Sequence, residues 1–234
     1  MCNRYAPPRP EDVSQRWAPR QMPVNFPPGP LFPRAPGPFM RSVRGGAGRE
    51  GGLPDGDATG APAPRGREVV IGQWALIPWF AKTAKLPYST NNARVESVAT
   101  AASFKHPWAR GQRCIIPADW FDEPCWESGK NVWWRFRRAD GAPWGLAGLW
   151  STWTDGSSGE MVESYTMLTM NADAHPIMRR MHKPDPKLAA DQQDKRSVVS
   201  IELEDVDTWL NGCTDDAARL VKLAPVGVFA AGPV

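Results

Sequence analysis

Histidine and tyrosine are scarce in this 234-residue chain, at three residues each, and no two cysteines form a C-x-x-C pair. Cys2, Cys114, Cys125 and Cys213, taken with His106, His175 and His182, offer no zinc-ligand spacing. The sequence therefore predicts neither a metal site nor a cofactor. A chain of this length buries a core without cross-links, and the cysteine spacings suggest no disulfide framework. No apolar run reaches the roughly 18 residues of a membrane span. The opening Met1-Cys2-Asn3-Arg4-Tyr5 lacks the apolar stretch of a signal peptide. Together these absences predict a cytoplasmic protein with no membrane partner, in which Cys2 stays a free thiol. No internal repeat is present.

Tryptophan is over-represented, at twelve residues against three tyrosines and eight phenylalanines. Such residues fill a core, or, where exposed beside cations, stack on nucleic-acid bases. The net charge of +3 and pI near 8.7 permit a polyanionic partner without demanding one. Length favours one domain over residues 2–234, expected as a monomer. Residues 27–66 are dominated by Pro, Gly, Ala and Arg, a composition that predicts a long surface loop inserted in that domain.

Short apolar runs then recur at turn-separated intervals. Strands are predicted at 69–78, 113–117, 132–138, 144–150 and 164–170, with a hairpin turn at 155–159. Helical text is sparse: 94–102, 206–210, and an early helix carrying Val13 and Trp17. Asp12 is its expected N-cap and Gln15 completes a capping box. Many strands and few helices predict an α+β fold, with a curved, mostly antiparallel, barrel-like sheet and a few flanking helices.

Four segments could carry chemistry, and each also has a plainer reading. Removal of Met1, by an aminopeptidase that accepts the small Cys2 or by the protein itself, would leave Cys2 with an α-amine and a thiol, whose ordinary pKa values are about 7.7–8 and about 8.5. Both would be partly deprotonated near neutrality, and such an aminothiol captures aldehydes as a five-membered thiazolidine. It could equally attack a carbonyl as a thiolate, or be an incidental second residue. Asn92 and Arg94, read as a loop-to-helix junction, suit a phosphate contact; a simple N-cap with a solvated Arg is the alternative. Asp119 to Glu123 sets carboxylates beside aromatics, where burial would raise their pKa toward proton-transfer duty; solvated turn residues fit the spacing as well. His175 and His182 lie among Arg179, Arg180 and Lys183, whose charge would keep a histidine neutral, or the segment is only a basic loop.

Taken in order, these segments resemble the SOS-response-associated peptidase (SRAP) family. The shared text is Met1-Cys2-x-Arg4-Tyr5, Ala35-Pro36-Gly37 with Phe39-Met40-Arg41, and Trp74-x-Leu76-Ile77-Pro78. It continues through Asn92-Ala93-Arg94-x-Glu96, Cys114-Ile115-Ile116-Pro117, the Glu123 carboxylate and Thr166-x-Leu168-Thr169. The resemblance implies covalent capture of abasic sites in single-stranded DNA. Cys2 would form the thiazolidine, Asn92 would position the sugar and amine, and Glu123 would assist proton transfer and loss of Met1. His182 would assist sugar ring opening, with His175 as the alternative histidine. Arg4, Trp74, Arg94 and Thr169 would contact DNA, with Trp74 stacking on a base. Lyase or self-directed peptidase activity would accompany capture, and bound protein would sit on the nucleoid. An N-terminal-nucleophile hydrolase acting on amide bonds is the alternative function. This chain departs from the family pattern at Ala75, Asp122 and Pro124. It also places Met178 where the family histidine is expected.

Overall fold

A computed structural model describes residues 2–43 and 66–234. Strands β1 (Tyr5–Ala6), β2 (Pro36–Ser42), β3 (Arg67–Trp74) and β4 (Asn92–Arg94) occupy the first half. Helix α1 (Pro10–Trp17) lies between β1 and β2, and helix α2 (Lys105–Ala109) follows β4. Then follow β5 (Arg113–Ala118), β6 (Trp120–Cys125), β7 (Val132–Arg138), β8 (Trp144–Thr154), β9 (Met161–Asn171) and β10 (Arg196–Val198). Helices α3 (Val206–Asn211) and α4 (Thr214–Leu220) precede the last strand, β11 (Phe229–Pro233).

The larger sheet runs β10-β9-β3-β2-β5-β8, and β8 pairs back onto β9. Strands β9, β3, β2, β5 and β8 therefore close a five-stranded barrel, which leaves none of them an open edge. A second sheet, β1-β6-β7-β11, is antiparallel throughout. The α+β architecture predicted from the sequence is the one observed.

Why these runs are strands is visible in where alternate residues go. In β5, Cys114 and Ile116 join one core cluster with Phe121, Phe136 and Tyr165, while Ile115 joins another with Trp17 of α1 and Trp209 of α3. Strand β2 divides Phe39 from Met40 in the same way. Both faces of the barrel wall are thus covered, which explains near-continuous apolar text where a half-solvated strand would alternate.

Several local expectations are corrected. Residues 36–42, inside the Pro/Gly-rich stretch, form β2 because Phe39 and Met40 supply two buried faces and every residue has a partner on β3. Residues 44–65 of that stretch lie outside the described residues. Strand β3 stops at Trp74, short of Pro78; the chain then leaves the sheet, and the Ile77 amide donates to Ser164 Oγ at 2.9 Å. The 94–102 helix does not form. The backbone of Asn92–Arg94 instead pairs parallel with Met167–Thr169 of β9, and the Val95 amide donates to the Thr169 carbonyl at 2.9 Å. Tertiary pairing here overrides helix propensity. Helix α1 buries Val13 and Trp17 as expected, but it starts at Pro10 with Arg9 as N-cap. Asp12 lies inside its first turn, ion-paired to Arg9 at 2.9 Å, and forms no capping box with Gln15. Among the described residues, no helix is long and apolar enough to cross a membrane.

Candidate functional site

Cys2 enters just before β1 and is fully buried. Its thiol lies 3.5 Å from the Arg4 carbonyl, and its own carbonyl accepts Asn92 Nδ2 at 2.7 Å. Asn91 Nδ2 reaches the same carbonyl at 3.4 Å and Asn3 Oδ1 at 3.0 Å. The two neighbouring amides thus clamp residues 2 and 3. Burial, reinforced by the negative charge of Glu123, raises the Cys2 pKa well above its ordinary value. The expectation of a partly ionised thiol is therefore corrected: at neutral pH the group is a protonated thiol and needs a base to react.

Asn92 comes to the site on β4, not on a helix N-terminus, because β9 captures that segment. Its Oδ1 is buried with no partner among the described residues, an acceptor aimed away from solvent.

Glu123 lies on β6 and is 1% exposed, so the solvated-turn reading is replaced at Asp122 and Glu123, while Asp119 sits in a bend with an exposed side chain. Its Oε2 meets His182 Nε2 at 2.8 Å. Burial pushes this carboxyl up, but the positive charge of the amino terminus and the His182 interaction more than reverse that push. The net shift is downward, opposite to the rise expected from sequence, and the group is an anion. Its neighbour Asp122 faces the other way, fully buried, bridging Arg135 at 3.0 Å and Arg4 at 3.4 Å. Successive strand residues point to opposite faces, so this lock on Asp122 also fixes where Glu123 points.

His182 follows a 3-10 turn, Met178–Arg180, and has φ +62°. A left-handed backbone at a non-glycine residue persists only when its surroundings fix it. Here the His182 amide donates to the Pro124 carbonyl at 2.6 Å, and Lys195 Nζ donates to the His182 carbonyl at 2.6 Å. The ring meets a carboxylate, not the cations anticipated from the surrounding text.

His175 does not reach the site. Its Nδ1 accepts the Met178 amide at 3.1 Å, its Nε2 lies 3.0 Å from the Ala224 carbonyl, and its ring meets Phe229 edge-on. These contacts make it a core histidine. The geometry brings together Cys2, Asn92, Glu123 and His182.

The expected DNA contacts divide. Arg94 is half-exposed and paired with Asp194 at 2.6 Å. Arg4 is a third exposed and lies 5.5 Å from the Trp120 ring centre. Trp74 cannot stack on a base: it is fully buried, meets Tyr5 edge-on at 4.9 Å, and donates Nε1 to the Asn91 carbonyl at 2.9 Å. Thr169 is likewise fully buried, paired through β9 to Arg94 and Val198. Sequence reading missed Asn91 and three exposed aromatics on the loop between β3 and β4: Trp79, Phe80 and Tyr88, at 65%, 43% and 45% exposure. Trp79 also meets His106 edge-on. The proline at 78 was the available signal that the strand ends before this aromatic pair.

The family model described as SOS response associated peptidase (SRAP) matches residues 1–234. The chain belongs to this family. Among relatives, it is 31% identical over 126 residues to the abasic site processing protein YoaM of Bacillus subtilis, covering 53% of each chain. It is also 31% identical over 154 residues to YobE of the same organism, covering 64% of this chain and 62% of that one. The matches thus span less than two thirds of either relative's length. A Bordetella bronchiseptica protein of known crystal structure shares 33% identity at a TM-score of 0.81, covering 100% of this chain and 99% of that one. In this SRAP chain, then, a buried cysteine at residue 2, a carbonyl clamp and a Glu–His pair converge from four separate segments.

Proposed function

We propose that this SRAP protein captures abasic sites in single-stranded DNA through a covalent bond to Cys2. The observation that carries the reading is the convergence on residue 2 of Asn92, at 2.7 Å from its carbonyl, and of the Glu123–His182 pair, whose carboxylate acts on its thiol. Loss of Met1 frees the α-amine. That amine adds to the aldehyde of the ring-opened sugar and expels water to give an imine. The thiol then adds across the C=N bond: a C–S bond forms, the thiol proton ends on nitrogen, and a thiazolidine ring closes. A protonated thiol needs a base for this step, and Glu123 is the anion already coupled to it. His182, paired with Glu123, supplies or receives the proton at the sugar hydroxyl during ring opening. The same pair supports hydrolysis of the Met1–Cys2 bond by the protein itself, which fits the family's description as a peptidase without a separate protein substrate.

Half-exposed Arg94 and partly exposed Arg4 are the proposed phosphate contacts, and exposed Trp79, Phe80 and Tyr88 replace Trp74 as the surface on which bases stack. Phosphate neutralisation makes the affinity fall with salt.

The test is intact-mass spectrometry after incubation with an abasic oligonucleotide. Wild-type protein lacking Met1 is expected to gain the mass of the oligonucleotide less one water, in an adduct stable to heat. Cys2→Ala is expected to bind the DNA and form no such adduct. Equal adduct from Cys2→Ala would refute the proposal, and steady turnover on unrelated peptides would favour the amide-hydrolase alternative.

A further inference from the structure

Beside His182 lies a pocket of about 430 Å³ that the chemistry above does not use. Residues 183–190, which follow the histidine, are exposed, and several of them form one wall. That wall is tied down from within. Gln193 Nε2 donates to the carbonyls of Asp185, Leu188 and Ala189 at 2.9–3.1 Å, and its Oε1 accepts the Asp185 amide at 2.7 Å. One glutamine therefore closes the turn, so the wall is preorganised. Trp126, which follows β6, lines the pocket together with Pro184, Leu188 and Ala190 of that wall, giving a largely apolar lining suited to a flat ring.

The lining carries both signs of charge. Arg180 and Glu127 neutralise each other through two bonds of 2.6 and 2.7 Å, the Asp185 carboxylate accepts the Lys187 backbone amide at 2.9 Å, and Lys195 Nζ donates to the His182 carbonyl. Arg179 is different: it is exposed and in no salt bridge among the described residues. Lys183 lies outside the lining, with its ammonium 5.4 Å from the Trp126 ring centre. A largely apolar slot with the exposed Arg179 cation on its lining, next to the histidine of the site, complements an aromatic ring whose anion is directed to Arg179 and away from Asp185.

We infer that this pocket is a subsite for one nucleotide adjoining the abasic residue, with its base against Trp126 and its phosphate on Arg179. The inference rests on the abasic-site reading above and deepens it: capture depends on the base beside the lesion. The protein would then favour a lesion that keeps a neighbouring base over one in a base-free tract.

The experiment uses the full chain and oligonucleotides holding one abasic site, with the nucleotide on either side replaced in turn by a base-free tetrahydrofuran spacer. For wild type, removal of the base on one side is expected to raise the half-saturating DNA concentration for adduct formation by about tenfold, the scale of one stacked base. Trp126→Ala should lose that dependence, and Trp126→Phe should keep it. Arg179→Ala, at an exposed position that folding does not need, should reduce the slope of log affinity against log salt by about 0.7. An equal response to base removal in wild type and Trp126→Ala, with Arg179→Ala leaving the slope unchanged, overturns the subsite while the adduct itself stands. Absence of any adduct from wild type overturns the capture reading and the subsite with it.

Discussion

The two sides of the site are built differently. Cys2, Asn91 and Asn92 sit where backbone pairing leaves little choice: β4 is locked onto β9, and the Asn91 carbonyl accepts both Trp74 Nε1 at 2.9 Å and the Met167 amide at 3.0 Å. His182 follows a bridge between Met181 and Cys125 of β6 and takes a left-handed conformation; its amide bonds the Pro124 carbonyl, Lys195 bonds its carbonyl, and its ring meets Glu123. The proposed nucleophile is positioned by a sheet that many interactions over-determine, whereas the proposed proton-transfer side is a left-handed segment tied to β6 by an isolated bridge, Met181 to Cys125. Glu123 joins the two, because it belongs to β6 yet bonds His182.

Removing that joint should have the largest effect. Glu123→Gln is nearly isosteric but cannot take the thiol proton, so its rate of adduct formation at saturating DNA is expected to fall roughly hundredfold. Its stability profile supplies a second reading. The folded-state pKa of Glu123 lies below its ordinary 4.5 despite burial. The stabilisation it provides is therefore complete above that value and is lost as pH falls through the folded-state pKa. Wild-type Tm should drop on acidification below the ordinary carboxylate value of 4.5, and Glu123→Gln should show a shallower acid limb there. Parallel Tm curves would show that the pair does not stabilise the fold.

His182 gives a sharper test, because strain and chemistry can be separated at one position. Both His182→Ala and His182→Gly remove the imidazole, and both should slow capture by about tenfold to hundredfold. Only glycine accepts φ +62° freely. His182→Gly is therefore expected to be more stable than His182→Ala by about 1 kcal/mol in urea denaturation. Ranking in the opposite order would mean that the left-handed conformation costs nothing here.

What was legible in the sequence follows the same division. Strands β5, β8 and β9 announced themselves through apolar runs, since both faces of the barrel wall are buried and the signal is local; β7, in the second sheet and largely exposed, showed instead through its Val and aromatic residues. The Cys2, Asn92 and Glu123 constellation was legible only through resemblance, as its members lie on β4, on β6 and before β1, and spacing carries no hint of which strands meet. The supposed helix at 94–102 failed because β9, some seventy residues on, claims the backbone of Asn92–Arg94. Trp74 misled for a related reason: an indole reads the same in a core as on a surface until the neighbours are known. His182 over His175 was the least readable choice, because it turns on a backbone turn and on one carbonyl, that of Pro124, across the chain.

The smallest expected effect falls on Asn91, and it probes the over-determined side. Asn92 already donates to the Cys2 carbonyl at 2.7 Å, so the 3.4 Å contact from Asn91 is the weaker half of the clamp. Asn91→Ala should reduce the saturating rate about fivefold, equivalent to about 1 kcal/mol, and leave the half-saturating DNA concentration unchanged, because Asn91 orients residue 2 without touching DNA. Asn91→Asp separates donation from shape: the carboxylate keeps the volume, cannot donate, and faces two oxygens, Cys2 O and Asn3 Oδ1. It should therefore be slower than Asn91→Ala. An Asn91→Asp protein as fast as wild type would mean that the sheet alone fixes residue 2. If instead Asn91→Ala and Asn92→Ala combine to more than the sum of their separate free-energy costs, the two amides back each other up at one carbonyl, as their shared acceptor requires.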